Sequence, residues 1–212
     1  MSNYWATKVK RMAKKLTRRN IVFCLSPINI YFLIKERKVN SFLNRIRFGC
    51  KVRLHLGSGE NLLDGYTNID LYSKKADMNL DACDLKEFAD ESVDLIENHH
   101  LIEHLSFEEA KKAFSEWSRI LKPKGWLVIS TPHLERVMEL WKRSDEKQRW
   151  DYGIKMLYGY QDNAGLFHKS GYTPKRLKEL LLGEGFTIEL VSDHYPSRRK
   201  TPSFICVARK KG

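Results

Sequence analysis

Two groups of residues in this chain have types and spacings suited to chemistry: a glycine-and-acid series and, further along, a set of histidines. The first group begins with Leu54-His-Leu-Gly-Ser-Gly-Glu60. Leu56 ends a strand pattern, and Gly57, Ser58 and Gly59 follow directly. Glycine there lets the backbone approach a ligand closely and tolerates a positive φ. The next strand ends in Asp70, followed by Leu71; a carboxylate in that position can hold both hydroxyls of a ribose. Asp84 follows a third, weaker strand, where an adenine amino group can be bound, with Leu85 against the ring. Either acid alone reads as a loop cap, but the ordered series after successive strands reads as a nucleoside site. The third glycine of a dinucleotide fingerprint is missing, with Leu62 in its place, and only ten residues separate Gly59 from Asp70. A pyrophosphate wants a helix N-terminus at that point. The helix after the first strand is therefore expected to be very short or absent, and the pattern argues against a dinucleotide.

The histidines raise a different chemistry. Asn98-His-His-Leu-Ile-Glu-His104 contains H-x-x-E-H, an inverted zinc-protease pattern. That chemistry needs both histidines on one face of a continuous helix and a distant third ligand. Here the segment follows a strand and a fresh helix cap occurs at Ser106, which leaves too little helix, so no metal is expected. His104 then reads as a structural histidine. His133 follows Ser130-Thr-Pro132 at the end of a strand, where loops face a ligand crevice. His168 sits shortly before the next helix cap, Thr173.

The elements that must position these groups alternate. Short apolar runs read as strands at 52–56, 68–71, 78–80 (weak), 93–97, 126–131, 186–191 and 204–208. Ser106-Phe-Glu-Glu109 is a capping box, and Ala110, Ala113, Phe114, Trp117 and Leu121 continue at helical spacing. Thr173-Pro174 gives an N-cap and a proline at the first helical position, and Gly183 and Gly185 close that helix. Alternation of this kind predicts an α/β fold, a Rossmann-like doubly wound sheet of seven strands whose final pair is antiparallel. Residues 134–172 carry seven aromatic residues and no strand pattern, and we read them as a lid or substrate-binding insertion.

The motifs LHLGSGE, NIDL, ACDL, VDLIENHHLIEHL and LKPKGWLVISTP resemble, in order, those of class I S-adenosylmethionine-dependent methyltransferases. The resemblance spans roughly residues 51–208. The later segment YGYQDNAGLFHKSGYTPKRLKELLLGEGF is similar to a subgroup associated with surface-polysaccharide biosynthesis. The resemblance implies S-adenosyl-L-methionine as cofactor, bound by Leu56, Gly57, Ser58, Gly59, Asp70, Leu71, Asp84 and Leu85. It also implies Asn98 and His99 beside the cofactor and His100 facing the acceptor. A hydroxyl acceptor must lose its proton, and a histidine of near-neutral pKa suits that role; His100, His133 and His168 are the candidates, unranked. The segment ENHH is not the Asn/Asp-Pro-Pro-aromatic sequence of base-amine methylation, and no Pro-Cys or Thr-Cys nucleophile ends the neighbouring strands. The expected acceptor is a sugar, a glycan or a similar hydroxylated small molecule. An RNA methyltransferase and a non-catalytic scaffold that binds the cofactor are the alternatives.

Charge separates the chain into two parts. Its 212 residues are 42% hydrophobic and 30% charged, enough to bury a core. Of the net +12, residues 1–50 contribute +11 and residues 51–212 only +1. A uniformly basic nucleic-acid-binding body is thereby disfavoured. Trp5, Val9, Met12 and Leu16 would form one stripe of a helix whose other faces carry Lys and Arg. Residues 1–34 accordingly suit an anionic membrane surface, although the stripe could equally pack on the domain or the basic face follow RNA phosphates. The domain boundary is expected near residue 50. Residues 21–34 are apolar but too short to span a bilayer, and are interrupted by Pro27 and Asn29. The four scattered cysteines fit a reducing interior, the cytoplasm, with peripheral membrane association as the refinement. Oligomeric state is not legible.

Overall fold

A computed structural model describes residues 27–162, 164–196 and 201–212. The apolar stripe at residues 5–16 and the basic residues around it lie outside them. Contacts divide the chain after Phe42. On one side lies the first part of helix α1 (Pro27–Gly49), which opens on a proline as helices commonly do. On the other side lies the body, Leu43–Gly212, which includes the last residues of α1. The division falls before residue 50 because Leu43, Ile46 and Arg47 already belong to the body: both aliphatic side chains are buried there.

The body contains one six-stranded sheet in the order β2-β1-β3-β4-β6-β5. Its strands are β1 (Arg53–Leu56), β2 (Thr67–Ile69), β3 (Val93–His99), β4 (Leu121–Pro132), β5 (Phe186–Pro196) and β6 (Pro202–Lys210). β1 pairs in parallel with β2 and β3, and β3 with β4; β6 runs antiparallel to both β4 and β5. The antiparallel final pair follows the sequence pattern. The seventh strand does not form among the described residues: at 78–80 only Met78 bridges to Ile69. Asn79 explains the shortfall, because its side-chain amide donates to the carbonyls of Asp70 and Ser73, both at 2.8 Å. Short amide side chains compete with ladders in this way.

No helix separates β1 from β2, as the ten-residue gap required. Helix α2 (Phe107–Ile120) starts at the expected capping box, with Ser106 accepting from the Glu109 N–H and Glu109 from the Ser106 N–H. It buries Ala110, Ala113, Phe114, Trp117 and Ile120. The Trp117 Nε1–H donates to Ala82 O at 2.9 Å, which ties this helix to the segment before β3. Burial of each large apolar side chain contributes about 1.5–3 kcal/mol. Residues 134–172 form α3 (Leu134–Arg143), a turn at Glu146–Gln148, a π-helical stretch Arg149–Gly153 and α4 (Ile154–Tyr158), then a 3₁₀ turn at Ala164–Leu166. α5 (Pro174–Gly183) begins at Thr173, whose hydroxyl accepts from the Arg176 N–H.

Candidate active site

The ends of β1, β2 and β3 open on a cleft of about 850 Å³. Gly57 forms its floor at φ +66°, and a Cβ there would stand 2.8 Å from Leu101 Cδ1. Gly57→Ala should therefore cost about 2 kcal/mol or more, through the left-handed backbone and the overlap together. Gly59, at φ +50° with nothing within 4 Å of a Cβ, should lose less when changed to Ala; thermal unfolding of the two variants compares them.

Asp70 organises the loops on both sides. Its Oδ2 accepts from the Gly59 N–H at 2.8 Å, and its Oδ1 from the N–H groups of Tyr72 at 2.9 Å and Ser73 at 2.8 Å. Leu71 lines the cleft beside it, half exposed. Ser58 is held by its N–H on Ile69 O at 3.1 Å, and its buried hydroxyl has no partner among the described residues. Glu60 pairs with Lys75 at the rim. Leu56 is fully buried beneath the loop.

Asp84 and Leu85 do not reach this cleft. The Asp84 carboxylate is exposed and paired with Lys86, and Leu85 is fully buried in the core. The Asp84 N–H closes a turn on Asp81 O, so the wall is made by Asp81, Ala82 and Cys83 instead. Burial and the neighbouring Asp81 push the Cys83 thiol up to about 12, so it is not a nucleophile at neutral pH.

The opposite wall is built around Glu97, a fully buried acid in β3. It accepts from Arg47 Nε at 3.0 Å and again from the other end of that guanidinium, from Tyr66 OH at 2.7 Å and from His99 Nε2 at 2.8 Å. Burial pushes this carboxyl up, but the bonds and charges of His99 and Arg47 outweigh it and hold the group well below the usual range. His55 stands edge-on to both His99 and Tyr66 and donates Nδ1–H to Asn68 Oδ1 at 3.1 Å. Its burial lowers its pKa, so it prefers the neutral form. Arg47, His55 and His99 all line the cleft. Sequence reasoning missed Arg47, Tyr66 and Glu97, although an acid inside the apolar run Val-Asp-Leu-Ile-Glu demands a buried partner.

The other histidines are dispersed. His100 lines the cleft in a left-handed conformation, φ +57°, of the strained kind that clusters at functional sites. Its Nδ1 lies 2.9 Å from Glu103 Oε1 and its Nε2 3.2 Å from Ser203 Oγ. Asn98 is fully buried, its side-chain amide has no partner among the described residues, and it does not line the cleft. His133 is buried against Phe204, its N–H on Pro202 O at 2.8 Å, and lies off the cleft; burial lowers its pKa. His168 is also off the cleft, with its pKa lowered by burial, and packs edge-on to His104. Of the three candidate bases, only His100 faces the cleft.

The cleft fits S-adenosylmethionine on its own terms. Asp70 can accept from ribose hydroxyls, the Ser58 hydroxyl lacks a partner, and Gly57 leaves a cradle that a side chain would fill. Residues 67–129 match the family described as Methyltransf_11, methyltransferase domain. Residues 67–129 thus carry the pattern of a methyltransferase domain, which implies S-adenosylmethionine as its cofactor. Similar solved structures agree on the fold. A Pyrococcus horikoshii protein is 15% identical, with a TM-score of 0.59, over 90% of this chain and 97% of that one. A Methanosarcina mazei SAM-dependent methyltransferase is 19% identical, TM-score 0.56, over 76% of this chain and 92% of that one. One from Archaeoglobus fulgidus is 18% identical, TM-score 0.54, over 85% and 99%. No curated protein sequence matches the chain. The methyltransferase assignment rests on the family match and the motif series; the structural neighbours establish the fold.

Proposed function

We propose that this methyltransferase O-methylates a hydroxylated small molecule, a sugar or a glycan, with His99 as the base that takes the hydroxyl proton. The observation that carries the reading is the buried Glu97 carboxylate, which holds His99 Nε2 at 2.8 Å while the imidazole lines the cleft. A carboxylate that orients an imidazole is the arrangement of a general base. S-adenosylmethionine supplies a sulfonium methyl group and departs as a neutral thioether. The chain has then only to align the acceptor and hold its proton. Gly165, Leu166 and Lys169 bring the 134–172 insertion to the cleft wall, and the exposed Tyr158 and Phe167 belong to the same insertion. Such side chains suit a sugar face. Glu97 acts as a positioning residue, and His100 lines the acceptor side.

Labelled methyl transfer from the cofactor to a panel of sugars, nucleotide-sugars and glycans tests this. The expected result is turnover of one hydroxylated class, with His99→Asn lowering kcat about 10²–10⁴-fold. Cofactor affinity should change far less. Turnover of RNA alone, or of no acceptor, overturns the reading. The basic segment at residues 1–34 supports peripheral binding to an anionic cytoplasmic membrane face, where each Lys or Arg near the surface adds about 1 kcal/mol. No described helix is long and apolar enough to cross a membrane.

A further inference from the structure

Glu103, His104 and His168 are not used by the methyl-transfer reading. Each offers one ligand atom, and these atoms lie within 4.8 Å of one another. The chain builds this cluster from two distant segments. A 3₁₀ turn at Ile102–His104 sets Glu103 beside His104. The insertion then returns along that turn: the N–H groups of Lys169 and Ser170 donate to Glu103 O at 2.8 and 3.1 Å, and Ser170 Oγ to Ile102 O at 3.2 Å. Gly159 makes the return possible. At φ +77° it lies so close to the returning strand that a Cβ would stand 2.0 Å from Leu166 O.

The two imidazoles share one tautomer. His104 Nδ1 lies 3.0 Å from Phe167 O, and His168 Nδ1 lies 3.2 Å from Met156 O. A carbonyl oxygen only accepts, so each ring donates Nδ1–H there and keeps a lone pair on Nε2. Metal-ligating histidines are held in this way, by a carbonyl on the nitrogen away from the ion. The ring centroids are 4.9 Å apart at 74°. Glu103 is almost fully buried, and its Oε2 accepts from Thr131 Oγ1 at 2.9 Å. Its Oε1 touches His100 but accepts no aligned hydrogen bond among the described residues. A buried carboxylate there is stabilised by a neighbouring positive charge, whether from His100 or from an ion. Glu103 and His168 also line a cavity of about 20 Å³, room for one water or ion.

We propose that Glu103, His104 and His168 bind one divalent transition-metal ion, zinc by the chemistry of the donor set. Two imidazoles and a carboxylate are a zinc ligand set that leaves a position for an oxygen ligand. Ligands at ~2.0–2.2 Å around a tetrahedral ion lie roughly 3.3–3.6 Å apart, so the three atoms close by about an ångström on binding. The ion clasps the insertion to the turn after β3, and one of its ligands, His104, lines the cleft. The H-x-x-E-H spacing supplies two of the ligands, but not those of a protease: the third is His168, and His100 only steadies Glu103.

The test is a zinc titration of the full chain, stripped by a chelator and without S-adenosylmethionine, so that its outcome is independent of the methyl-transfer reading. One ion per chain should bind with micromolar or tighter affinity. At a hundredfold excess over Kd it should raise Tm by roughly 5–10 °C. Cobalt in place of zinc should give the strong visible absorption of a tetrahedral site. His168→Asn and His104→Asn should each weaken binding at least about 10-fold, with His133→Asn unchanged. Should His168→Asn not fold, the less buried His104→Asn and the near-isosteric Glu103→Gln give the same information. A folded wild type that binds no zinc overturns the proposal, as does wild-type affinity in the ligand variants.

Discussion

Asp70→Ala should weaken S-adenosylhomocysteine binding at least about 100-fold, measured by isothermal titration on a variant that remains folded by circular dichroism. The carboxylate accepts three backbone N–H bonds, one from the glycine loop and two from the turn after β2. Alanine releases the glycine loop and the turn after β2 at once and removes the acceptors for the ribose hydroxyls. A hydrogen bond to a charged group is worth about 1.5–3 kcal/mol, so two of them account for the factor without any loop disorder. Asp70→Asn keeps one acceptor oxygen and should bind between wild type and alanine. If both variants bind as wild type does, the nucleoside does not lie over Asp70.

Glu97→Gln should have the largest effect on stability. The carboxylate is fully buried and serves Arg47, Tyr66 and His99 together. Removing one partner from a buried ionic group costs about 3–5 kcal/mol, because the remaining charge is stranded. For a domain of this size that corresponds to a fall in Tm of roughly 6–20 °C. The pH dependence of unfolding should distinguish the groups. Glu97 has a depressed pKa in the folded state, so its contribution is present above the ordinary carboxylate value of 4.5 and is lost as pH falls below it. His55 is also depressed, by burial, from 6.5. The unfolded chain therefore takes up its proton first, and stability begins to fall as pH drops through 6.5. Wild type should lose stability in both windows, and Glu97→Gln should keep the upper one but show a shallower acid limb, since Glu103 and other paired carboxylates still contribute to it. An unchanged acid limb in Glu97→Gln would show that the hub is not ionised in the native state.

The sequence made part of this site legible for identifiable reasons. Gly57 and Asp70 were readable because each sits one step beyond a strand end, where local backbone demands and ligand geometry coincide. Both capping residues, Ser106 and Thr173, were readable because capping is local. The weak strand at 78–80 failed because Asn79 turns its amide on the backbone. Asp84 does not reach the cleft, because a turn closed by its N–H on Asp81 O presents Asp81 there and leaves Asp84 outside. His133 follows the expected strand and His168 precedes the expected helix cap, yet packing turns both away from the cleft. Arg47 and Tyr66 were invisible, since only the fold brings residues 50 and 31 positions away onto Glu97. The Glu103–His104–His168 cluster was hidden for the same reason: half of its motif is local and its third member arrives from the insertion.

The central claim is that the cofactor lies in the cleft formed by the ends of β1, β2 and β3. Hydrogen exchange of the full chain with and without S-adenosylhomocysteine tests it most directly. Protection should appear in the loops at 57–61, 70–73 and 81–83 and in the turn after His99, with none in α3 or β5. Protection confined to α3 and β5, or no protection at saturating ligand, would contradict the account.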